Sequence, residues 1–199
     1  MPRPEILSAH AEASCALLKR TLAQHQRQAT ALVRRDHVSR LGTAIHDAHN
    51  AHRQATVLRL VSVTEAFCVE RLESLSRAAI DPATSSARRA IFDDALRNAT
   101  GTWQGIRDAL KNWHQVEPSW KRNEGVEEVR NTVAHGLGQL TYRQRTSRTK
   151  TDERLSRVGI SVGADDELHL EEHDVLEVAA ICRNLIEEID RTSRTRISP

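Results

Sequence analysis

Three side chains able to do chemistry stand within six positions of one another, in the stretch RNTVAHG at residues 130–136: Arg130, Asn131 and His135. An imidazole exchanges a proton near neutral pH. A guanidinium stabilises charge on phosphate or oxyanion oxygens, and an amide can orient either group. On a helix turning about 100° per residue, Val126, Val129 and Val133 share a stripe suited to a core. Glu127, Arg130, Asn131 and His135 fall on the neighbouring face, with Ala134 between them. Asn131 and His135 are i,i+4 neighbours, and the long Arg130 side chain can bend over the small alanine. Gly136 suits the left-handed residue that closes a helix, and Asn123 suits its N-cap. A plainer account of the same spacing also stands. A histidine in the last turn complements the helix dipole, and Arg or Asn on an exposed face is ordinary.

A second group follows directly. Residues 142–157, YRQRTSRTKTDERLSR, are basic and polar without periodicity, which predicts an exposed loop. Arg143, Arg145, Arg148 and Lys150 in it could hold an RNA backbone by neutralising phosphates, or could simply be solvated. Tyr142 is its one aromatic residue, so base stacking gains little support there. Glu65 lies embedded in the apolar run RLVSVTEAFCVERL.

His46, His49 and His52, with Asp47, recur at spacings of three, as metal ligands on a helix can, but no Cys or Glu completes a set. They read as a solvated helix face, and no metal is expected. His114, His169 and His173 read as surface residues. No Gly-rich phosphate loop and no nucleophile elbow occur, which argues against ATPase, nucleotidyltransferase and serine hydrolase chemistry and leaves no cofactor expected. The three cysteines, Cys15, Cys68 and Cys182, lie far apart in helical patterns and read as buried, reduced thiols.

The elements that must position these groups are helical. Only 3% of the 199 residues are aromatic while Ala and Leu are plentiful, and the formal net charge of +2 implies no nucleic-acid partner by itself. Residues 1–53 have a thin apolar stripe and are predicted to form an N-terminal helical arm or dimerisation element. Residues 54–190 form the main helical bundle, and 191–199 a basic, fraying tail. Val158, Ile160 and Val162 alternate before the turn GADDE, and Leu168 and Leu170 follow, which predicts a short β-hairpin before the last helix. No charged-then-apolar leader and no apolar run of about 18 residues occur, so the expected location is cytoplasmic, off the membrane.

The run RNTVAHG resembles the Arg-x4-6-His motif of the HEPN superfamily, in which asparagine commonly follows the arginine. The continuation GLGQLT is similar to the RiboL-PSP-HEPN type. The order of elements over about residues 55–190 is also similar: an acidic residue on an upstream helix, a tryptophan-bearing helix, the motif helix, a short hairpin and a closing helix. The resemblance implies an all-α bundle that dimerises with two motifs facing each other. It further implies a metal-independent endoribonuclease, with Arg130 and His135 as the catalytic pair, Asn131 as polar support, and Glu65 and Glu127 in supporting places. A role as a toxin or in antiviral defence, with a cognate antitoxin or defence partner, would follow. The alternatives are a non-catalytic HEPN module that binds RNA or protein, and a helical interaction protein working through its N-terminal arm.

Overall fold

The computed structural model describes residues 6–36, 42–81 and 83–194, and within these no side chain from 34 to 47. The described residues form eight helices: α1 (Ala9–Asp36), α2 (Gly42–Ala78), α3 (Ser86–Thr100), α4 (Trp103–His114), α5 (Lys121–Gly136), α6 (Tyr142–Thr146), α7 (Arg148–Ser156) and α8 (Glu172–Arg194). The fold is all-helical. Among the described residues no helix is long and apolar enough to cross a membrane.

The 37-residue α2 is the axis of the molecule. Val57, Leu60, Val61, Phe67, Cys68 and Leu72 recur along it at helical spacing and are buried, as are Val175, Val178, Cys182, Leu185 and Ile189 along α8. These two stripes meet, and α1 closes over both with Ala11, Cys15 and Leu18. The first half of α1 therefore belongs to the bundle, and the division expected at residue 53 falls inside the unbroken α2. Beyond His25 no α1 side chain through Val33 is buried.

α1, α2 and α8 are also tied by polar groups. His25 is 1% exposed, with Nδ1 2.8 Å from Thr56 Oγ1 and Nε2 3.0 Å from both carboxylate oxygens of Glu172. Its ring stacks on His52 at 4.5 Å. His52 is thus spent on packing, while the side chains of His46 and Asp47 lie outside the described residues. The helix at the C-terminal end continues to Arg194, into the stretch expected to fray, and the rest of that tail lies outside the described residues.

The expected hairpin is not formed, and no strand occurs among the described residues. The turn is present, with Gly163 N–H donating to Glu167 O at 3.0 Å. The alternating Val158, Ile160, Leu168 and Leu170 are buried as expected. Their backbone is partnered elsewhere. Asn50 Nδ2 and Gln54 Nε2 both donate to Leu168 O, Arg53 Nη1 donates to Leu170 O, and Leu170 N–H donates to Asn50 Oδ1. Leu168 N–H donates to Gly138 O and Leu140 N–H to Asp166 O, leaving one isolated bridge, Gln139 with Glu167. Side chains of α2 thus satisfy groups that a second strand would otherwise take.

Residues 142–157 are likewise not a loop but the two short helices α6 and α7. Thr141 caps α6 in a capping box: its hydroxyl accepts from Gln144 N–H while Gln144 Oε1 accepts from Thr141 N–H at 3.0 Å.

Candidate functional site

α5 carries the motif. It starts at Lys121, so Asn123 is not its cap but a buried residue of its first turn, donating to Glu127 Oε1 at 3.0 Å. Val126, Val129 and Val133 are buried and hold the helix against the core. The helix closes not on Gly136 but one residue later, on Leu137 in the left-handed region at φ 53°, followed by Gly138 at φ 95°. A side chain at Gly138 would meet Gln54, 2.8 Å from the Cβ position, so the glycine is needed where the chain turns against α2.

The side chains of α5 and α7 are joined under the site. Buried Glu128 takes Arg154 Nη1 at 2.5 Å and Gln144 Nε2 at 3.0 Å, and Gln144 also donates to Thr132 Oγ1 at 2.9 Å. Arg157 pairs with Glu124 at 2.7 Å. These contacts clamp α6 and α7 beside the motif.

Arg130, Asn131 and His135 come together as their spacing predicts. Arg130 Nη1 lies 3.2 Å from Asn131 Oδ1 and 3.0 Å from His135 Nε2. A guanidinium can only donate, so His135 Nε2 is the acceptor in this contact. His135 is exposed, and Arg130 and Asn131 are half-buried.

All three line a cavity of about 730 Å³, together with Glu65 of α2, Trp103 and Arg107 of α4, Glu127 of α5, and Arg143 and Lys150 of α6 and α7. The sequence-predicted groups thus converge, with two exceptions. Arg145 donates to Leu140 O at 2.5 Å, and Arg148 pairs with Asp152 at 2.9 Å and with Asp166; neither lines the cavity. Arg143 and Lys150 are exposed and hold no ion pair among the described residues, which leaves their charge to the cavity.

Sequence reasoning named Glu65 and Glu127 but missed Trp103 and Arg107, which line the same cavity. Arg107 Nη1 pairs with Glu127 at 2.8 Å, Nη2 donates to Gln104 Oε1 at 3.1 Å, and the guanidinium sits 5.8 Å from the centre of the Trp120 ring. Burial pushes the Glu127 carboxyl up to about 7, against the pull of Arg107 and of the Asn123 hydrogen bond. A raised folded-state value means that the folded chain keeps this proton after the unfolded chain has lost it. Stability should therefore fall as pH rises from about 4.5 through 7, by about 3 kcal/mol. Glu127→Gln removes the titration. Urea unfolding at pH 4.5 and pH 8 should show the variant gaining on wild type by that order at the higher pH; an unchanged difference between the two proteins would sink the assignment.

His114 is not a free surface residue: Nε2 lies 2.8 Å from Ser76 Oγ, and burial lowers its basicity. His169 and His173 are exposed. Among the described residues, Asp165, Glu167 and His169 bring ligand atoms within 4.8 Å of one another and form a group that could hold a cation; none of them lines the cavity. All three cysteines are free and buried, and burial pushes their thiols up, Cys182 to about 11, so they are inert core residues. No family model, curated protein or solved structure matches the chain.

Proposed function

We propose that this protein is a metal-independent endoribonuclease built on a HEPN-like helical bundle, with Arg130 and His135 as the catalytic pair and Asn131 holding the guanidinium. The observation that carries this reading is the 3.0 Å contact between Arg130 and His135 at a cavity whose exposed cations, Arg143 and Lys150, are free to take phosphates.

RNA brings its own nucleophile, so proton transfer and charge stabilisation are sufficient chemistry. An entering phosphate draws the Arg130 guanidinium to its oxygens and uncovers His135 Nε2. That nitrogen takes the ribose 2′-OH proton as the oxygen attacks phosphorus. The P–O5′ bond breaks, the 5′-oxygen takes a proton, and the products are a 2′,3′-cyclic phosphate and a 5′-OH. One imidazole cannot give and take a proton at the same moment. A second copy facing the first across a two-fold axis supplies the other histidine. Leu137 at 91% exposure and Tyr142 at 77% flank the motif and offer apolar surface for that pairing. The residues RNTVAHG, through their resemblance, support a setting in toxin–antitoxin or antiviral systems.

The test is incubation of single-stranded and structured RNA in EDTA, with the product ends mapped and matched DNA as control. Cyclic-phosphate ends from RNA and intact DNA are expected. Binding of RNA with no cleavage across the panel would leave a non-catalytic module in its place.

A further inference from the structure

The cavity is larger than a scissile phosphate and ribose require, and its walls are of two kinds. One kind is cationic, the exposed Arg143 and Lys150. The other is acidic, two carboxyl groups that a phosphate would avoid. Glu65 is half-buried and holds no hydrogen bond or ion pair among the described residues. Glu127, with its side chain 14% exposed, gives Oε1 to Arg107 and Asn123, while Oε2 takes no hydrogen bond among them. Trp103, also in the lining, offers a flat apolar face.

An acceptor lining an RNA cavity needs a donor: the ribose offers a single O–H, whereas the bases offer N–H groups. A carboxylate takes two adjacent donors best. Guanine alone among the four bases presents such a pair on its pairing edge, N1–H beside the 2-amino group. Uracil flanks its single N–H with carbonyls that a carboxylate repels. About 730 Å³ is room enough for a nucleotide. We propose that the cavity is a guanosine pocket, in which Glu65 reads the N1–H and 2-amino edge and Arg143 and Lys150 hold the flanking phosphates. This rests on the ribonuclease reading for its substrate class, and it makes cleavage guanosine-selective.

The experiment reads binding without cleavage. Fully 2′-O-methylated tetranucleotides, which lack the attacking hydroxyl, are titrated with guanosine, inosine or uridine at one position, against wild type and Glu65→Gln. Inosine keeps N1–H and lacks only the amino group. Wild type should bind the guanosine oligomer about tenfold more tightly than the inosine one, and the uridine one most weakly. Glu65→Gln should erase most of the guanosine advantage and weaken inosine binding less, since inosine loses only the contact at N1–H, and an unchanged urea midpoint reports that the variant is folded. Equal binding of guanosine and inosine by wild type, a preference that survives in Glu65→Gln, or no binding of any oligomer would each overturn the pocket. Selective binding by a chain that cuts no RNA would retain the pocket and remove the ribonuclease; cutting without base preference would do the reverse.

Discussion

Replacing His135 with alanine is expected to slow RNA cleavage by a factor of about 10² to 10⁴, the usual worth of a positioned proton-transfer group. The fold should be untouched. His135 is exposed at the end of α5, and its contact is with Arg130, itself turned toward the cavity. Loss of such a surface group costs within about 0.5 kcal/mol of stability. Arg130→Ala should cost about 10² to 10³, because the guanidinium is aimed where charge develops on the phosphorus oxygens. Arg130→Lys should fall between, keeping the charge but losing the fork that meets both Asn131 and a phosphate. Single-turnover rates in EDTA decide it. His135→Ala at the wild-type rate would remove the imidazole from the mechanism. Full activity from a strictly monomeric chain would remove the shared site.

The motif was legible because all its members sit on one helix, where spacing alone fixes direction. Val126, Val129 and Val133 point to the core, and Arg130, Asn131 and His135 are placed together by the same arithmetic. The contact of Arg107 with Glu127 was not legible, although Glu127 itself stands beside the motif on the same helix face. Arg107 and Glu127 stand 20 residues apart with no pattern joining them, and what raises the Glu127 carboxyl is a burial that only the assembled helices create. Two misreadings have physical causes. The period-2 run at Val158–Leu170 marks buried positions, but Val158 lies in the turn that closes α7, and the partners of Leu168 and Leu170 include α2 side chains, which no strand pattern reveals. The basic stretch after Thr141 lacks an apolar stripe, yet Thr141 and Gln144 hold the spacing of a capping box, a start signal present in the sequence. The left-handed residue is Leu137 rather than Gly136 because α5 runs one residue further before the chain turns against Gln54.

Gly125→Ala is expected to destabilise the protein by about 2 kcal/mol, although alanine is the better helix former. Gly125 is buried on α5 where α7 crosses it. An added Cβ would stand 2.5 Å from the Arg154 carbonyl oxygen and 2.8 Å from Val158 Cγ1. The helix-propensity gain, about 1 kcal/mol, is therefore set against a backbone oxygen that cannot rotate aside. The two helices must part. Separation pulls on the Arg154–Glu128 and Arg157–Glu124 pairs, and with them on the wall that carries Lys150 toward the motif. Cleavage should consequently drop along with the urea midpoint, even though no catalytic group is altered. Val158→Ala in the same background clears the side chain but not the carbonyl, so recovery should be partial. Gly101→Ala separates propensity from crowding: its Cβ would find nothing nearer than 3.6 Å at an ordinary φ of −74°, and stability there should hold or rise. If Gly125→Ala unfolded at the wild-type midpoint, the close approach of α5 to α7 would not be what positions the site.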